Sequence, residues 1–101
     1  MNTDELIAID LYCTHCEVEV QFVEAMQERG LIQITVVEER RFISVEHLPR
    51  LEKLARMHYD LDIDLAGIEA LSHMLERMQG LQERIRSLQD RLGRYEDIEG
   101  R

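Results

Sequence analysis

Phe22-Val23-Glu24-Ala25-Met26-Gln27-Glu28-Arg29-Gly30-Leu31-Ile32 has the outline of a DNA-reading helix and the wrong chemistry for one. Its apolar residues recur at helical spacing, and Gly-Leu-Ile reads as a stop made by a left-handed glycine. Phosphate contact supplies most non-specific affinity for DNA, so a reading helix must bring cations to the backbone. This one brings carboxylates. Residues 1–30 hold Asp4, Glu5, Asp10, Glu17, Glu19, Glu24 and Glu28 against Arg29 alone, so −6 of the chain's net charge of −9 lies there. Acidity localised in this way implies a basic partner, although ordinary solvated helix faces explain the same residues more simply.

Outward from this stretch, Gln33–Val37 and Arg41–Val45 read as a β-type pair, and a helix opens near Ser44. Its apolar side is Val45, Leu48, Leu51, Leu54, Ala55 and Tyr59, with Pro49 in the first turns where proline is tolerated. A break comes at Asp60-Leu61-Asp62-Ile63-Asp64, and Asp64 is the expected N-cap of a last helix running to about Asp97. Gly80 falls inside that helix, facing solvent. Leu61, Leu65, Ile68, Leu71 and Leu75 make a broad apolar stripe. From Leu71 the stripe narrows to heptads: Leu71 and Met74, Met78 and Leu81, Ile85 and Leu88, Leu92 and Tyr95. A two-in-seven seam of that length is a coiled-coil signature, and water cannot be its only neighbour. The simplest partner is a second copy, which predicts a homodimer through Met74, Met78, Leu81, Ile85, Leu88, Leu92 and Tyr95. The flanks, Arg77, Arg84 and Arg91 on one side and Gln82 and Gln89 on the other, do not choose between parallel and antiparallel pairing.

Composition bounds the remaining possibilities. At 101 residues with 45% apolar side chains, one proline and no tryptophan, the chain allows one modest core and one projecting element. No apolar run has the length of a membrane span, and the acidic start lacks the positive region of a signal peptide, so no membrane association and a cytoplasmic location are expected. Cys13-Thr14-His15-Cys16 has CxxC spacing, but no second such pair completes a zinc site and no βαβ context supports redox work. Both thiols are expected to be buried on one helix face with Ile9 and Tyr12. Neither a glycine-rich phosphate loop nor a nucleophile motif occurs, so no catalysis, metal or cofactor is expected. The last four residues, 98–101, form a charged tail that also matches a protease-recognition tetrapeptide.

Helix-turn-helix, then wing, then helix resembles the N-terminal module of MerR-type regulators. The resemblance implies a mainly α fold: a winged helix-turn-helix module with a small β-hairpin wing over residues 1–60, then a long coiled-coil helix over 61–97 and the 98–101 tail. Where that family carries an arginine toward DNA this chain has Glu24, and the tyrosine positions are Ala25 and Met26. The short acidic chain, the Leu61-Asp62-Ile63-Asp64-Leu65-Ala66-Gly67-Ile68 turn and the terminal heptads narrow the resemblance to the CbpM chaperone-modulator family. That likeness implies binding to the J domain of a DnaJ-like co-chaperone, CbpA, and inhibition of its work. J domains present a basic helix, which fits an acidic binder in sign. Glu17, Glu19, Glu24 and Glu28 are the candidate partner-binding residues, with Asp60, Asp62 and Asp64 a competing cluster. The alternative is a MerR-family transcription regulator with weak or partner-dependent DNA binding, favoured by Arg40 and Arg41 at the wing. DNA binding is expected to be absent.

Overall fold

Helix α1 (Ile9–Cys16) ends where Glu17 turns into the left-handed region, at φ 57, with its backbone N–H donating to the Cys13 carbonyl. Val18 also donates to Cys13 and is buried, so the three-residue turn 17–19 is tied to the helix it leaves. Helix α2 (Val20–Glu28) comes next and completes a helix-turn-helix. Its end has a definite chemistry. Gly30 stands at φ +77, its N–H reaches the Gln27 carbonyl, and Leu31 N–H reaches Met26, which satisfies two carbonyls the helix would otherwise leave open. Met26 and Leu31 are both buried beside that cap. The computed structural model describes the backbone of residues 5–100 and the side chains of residues 5–94.

Strands β1 (Leu6–Ala8), β2 (Thr35–Val37) and β3 (Arg40–Ser44) form an antiparallel sheet in the order β1-β3-β2. The β2–β3 hairpin is the expected wing; the third strand, β1, has no counterpart in the sequence reading and pairs Ile7 with Ile43. Ser44 then accepts a hydrogen bond from Glu46 N–H and caps a 3-10 turn, Val45–His47, that leads into α3 (Leu48–Ala55) with Pro49 in its first turn. The tight turn changes the helical phase, which is why Val45 lies 40% exposed and not on the buried side with Leu51 and Leu54.

Beyond Ala55 the backbone widens into a π-helical turn, Arg56–Asp60. One added residue rotates the side chains beyond it about the helix axis. Met57 is buried within this turn, while Tyr59, expected on the apolar side, is 42% exposed. Asp62, at φ 62, turns the chain and leaves Leu61 in solvent, so Leu61 does not join the apolar stripe. Asp64 caps helix α4 (Leu65–Gly100) by accepting from Gly67 N–H at 2.7 Å. The chain divides into two compact units, Met1–Glu69 and Ala70–Arg101. In the first, Ile9, Val23, Met26, Ile43, Leu51 and Ile68 are the most deeply buried large side chains. No helix among the described residues is long and apolar enough to cross a membrane.

Candidate functional site

The outward face of α2 is the natural place to look for recognition, and it carries no lysine or arginine at all between residues 20 and 28. Phe22, Val23 and Met26 point into the core, which leaves Gln21, Gln27 and Glu28 exposed and Glu24 half-buried. Two arginines beside it, one next in the chain and one on the wing, are paired. Arg29 meets Glu69 at 2.7 Å, and Arg41 on the wing hydrogen-bonds the Glu24 carboxylate, which makes the guanidinium harder to deprotonate than usual. Arg40 lies over the Phe42 ring, 5.5 Å from its centre, with its charge open to water.

The four glutamates proposed from sequence do not form one patch of equivalent residues. Glu24 is half-buried and paired, while Glu28, one turn on, is exposed. Glu17 and Glu19 sit on the turn before α2. There Glu19 works through its backbone: its N–H donates to the Tyr59 hydroxyl at 3.0 Å, and its carbonyl accepts from Phe22 and Val23. Both carboxylates are exposed. Asp64, from the competing cluster, is committed to its cap.

Tyr59 ties the π-turn to the helix-turn-helix. Its ring sits edge-on to Phe22 and to His58, with centroids 5.5 and 4.9 Å apart, and His58 stacks on Phe22 at 5.0 Å. His58 Nδ1 lies 2.9 Å from the Ile63 carbonyl, which holds the turn from its other side. Between this assembly and the end of α1 lies an open hollow of about 600 Å³ that includes Tyr12, Glu17, Glu52, Tyr59 and Asp60. Glu52 is absent from the residues proposed from sequence because it stands outside the Leu51, Leu54 and Ala55 face; that position beside an apolar face is itself the available signal.

Ile9, Tyr12 and Cys13 are buried as expected, but Cys16 is exposed. Helical phase places Cys16 with the others, yet α1 stops at that residue and nothing further covers it. Burial pushes the Cys13 thiol upward in pKa. Burial also raises the Tyr12 phenol to about 12, with the neighbouring Cys16 and Glu52 adding to it, so the ring stays neutral across the physiological range. Among the described residues, no three His, Cys, Asp or Glu side chains are grouped to hold a metal ion.

In the second unit, the expected seam is open to water. Met74, Met78, Leu81, Ile85, Leu88 and Leu92 are each between 53% and 60% exposed, a line of large apolar side chains over nearly three heptads. Tyr95, the last seam position, lies outside the described side chains.

No curated protein and no solved structure matches the chain. Residues 7–90, however, match the family described as MerR HTH family regulatory protein. That span takes in the helix-turn-helix, the hairpin, α3 and most of α4. The chain therefore belongs to the MerR HTH family of regulatory proteins.

Proposed function

We propose that this regulator acts on a protein and not on DNA: in the cytoplasm it binds the basic J domain of a co-chaperone of the DnaJ and CbpA type and inhibits it. One observation carries the reading. The helix placed to read DNA offers only carboxylates and amides outward, and the arginines beside it are held by Glu24 and Glu69. Approaching phosphates would meet repulsion, whereas a basic helix would be drawn in. Glu17, Glu19 and Glu28 supply that attraction with Glu24, whose charge Arg41 shares, and two copies joined along α4 present it twice. The work is binding without catalysis or a cofactor. A second reading, a DNA-binding regulator, draws on Arg40, whose charge stays exposed on the wing.

A mobility-shift assay with duplex DNA at roughly 0.15 M salt should show no complex at micromolar protein, the upper end of ordinary non-specific affinity, which runs at about 10⁻⁴ to 10⁻⁶ M. Calorimetric titration with a purified J domain should show binding that weakens as salt rises. A DNA complex at micromolar concentration together with a silent J-domain titration would favour the second reading.

A further inference from the structure

Two hollows adjoin on the side of the first unit built by α1, α3 and the π-turn, and they differ in character. The smaller, about 340 Å³, is largely hydrocarbon, with Ile7, Leu11 and Leu48 among its walls. The larger is the hollow beneath Tyr59, where Glu17, Glu52 and Asp60 outnumber the one cation, Arg56. Tyr12, Cys16 and Glu52 belong to both, so the two make one groove, apolar at one end and acidic at the other. Leu11, at the apolar end, is 67% exposed, the highest value among the large hydrophobic side chains of the described residues.

The acidic end is built on fixed elements. A π-turn in a helix is a local departure that recurs at functional sites. Here Tyr59 lies on the π-turn and lines the groove, and its ring is fixed by Phe22, His58 and the hydrogen bond from Glu19 N–H. A wall held in this way loses little freedom when something docks against it.

We infer that this groove is the docking surface for a basic amphipathic helix, which sets an aliphatic side chain against Leu11 and Leu48 and an arginine or lysine among Glu17, Glu52 and Asp60. Charge complementarity selects the occupant. An apolar segment would cover three carboxylates without pairing them, and an acidic one would be repelled. The inference rests on the proposed J-domain reading only for the identity of the partner. It also divides the labour among the glutamates: Glu24 and Glu28, on α2, steer the approach, whereas the groove residues anchor the complex. Steering charges act on the association rate and buried anchors on the dissociation rate.

The test uses the full chain, isotopically labelled, in two titrations followed by amide chemical shift. One ligand is a purified J domain and the other a synthetic amphipathic helix of leucine and lysine. Both are expected to perturb residues 11–18 and 52–60 more than α2 or the wing. In stopped flow with whichever ligand binds, Leu11→Ser and Glu52→Lys should each raise the dissociation rate about tenfold. Glu24→Lys with Glu28→Lys should mainly slow association and flatten its salt dependence. A J domain that fails to bind while the synthetic helix maps to the groove would remove the partner and keep the groove. Shifts centred on α2 or the wing with either ligand would overturn the groove, as would groove shifts produced by concentrating the protein alone. If neither ligand binds, both readings fall.

Discussion

Glu38 and Glu39 form the whole of the loop between β2 and β3, since Val37 pairs with Arg40 across it. Both have positive φ, at 50 and 67, in a region that costs an L-residue roughly 1–2 kcal/mol and glycine very little. Two-residue hairpin loops of this hand favour Asn-Gly because the turn needs positive φ at both centres. Replacing Glu38→Asn and Glu39→Gly together is therefore expected to stabilise the protein by about 1–2 kcal/mol, read as a higher denaturant midpoint with unchanged slope. An unchanged midpoint would show that the turn carries no such penalty. The residues also mark the limit of reading from sequence. Nothing in Glu-Glu signals a left-handed turn, although the flanking β-type segments read from sequence, Gln33–Val37 and Arg41–Val45, locate the wing to within two residues of the observed Thr35–Val37 and Arg40–Ser44. Glu24 shows a similar limit. Its place on the outward side of α2 is legible, but its pairing with Arg41, 17 positions away, depends on the hairpin folding back.

At the scale of elements, legibility comes from local periodicity and from residues with one strong preference. Gly30 ends α2, Asp64 begins α4, and Ser44 caps the turn before α3, each through a backbone or side-chain group with few other uses. Strand β1 is not legible because three residues have no period, and its strand partner is the distant β3. The π-turn escapes a reading from sequence for a related reason. Apolar spacing continues past Ala55 as if the helix were regular, and nothing in it marks Tyr59 as the residue left 42% exposed. Tyr59 lines the acidic hollow, so that part of the groove is not legible either. Two glycines in helical settings give opposite expectations. A Cβ at Gly80 would meet nothing within 4 Å, so Gly80→Ala should raise stability by about 0.5–1 kcal/mol through helix propensity. Gly30 has equal space but stands at φ +77, so Gly30→Ala should lower stability by a comparable or larger amount. Thermal unfolding of the pair checks both signs, and a shift in the same direction for both would refute the backbone argument.

At the scale of the whole molecule, two kinds of surface stand apart in the sequence: an acidic module and an apolar seam. Charge and grease are separated along the chain, since −6 of the net −9 falls in residues 1–30 while the exposed heptads lie beyond residue 70. Such a division suits a protein that pairs with itself by one unit and engages a partner by the other. The seam's six described positions form a long apolar line open to water, and that exposure is the ground for expecting α4 to pair. We expect a dimer in solution, seen by light scattering at high micromolar protein, with Leu81, Ile85, Leu88 and Leu92 at its centre. Truncating one of these leucines to alanine in a well-packed seam costs on the order of 2–5 kcal/mol, and a dimer contains each position twice. A carboxylate at the same place must also be stripped of water, so Leu88→Asp should yield a monomer over the same concentration range. The first unit keeps its own core of Ile9, Val23, Met26, Ile43, Leu51 and Ile68, and its amides should keep their spectrum in the Leu88→Asp variant. A wild-type monomer at high micromolar concentration, or a Leu88→Asp protein that still scatters as a dimer, would show that the seam has some other occupant.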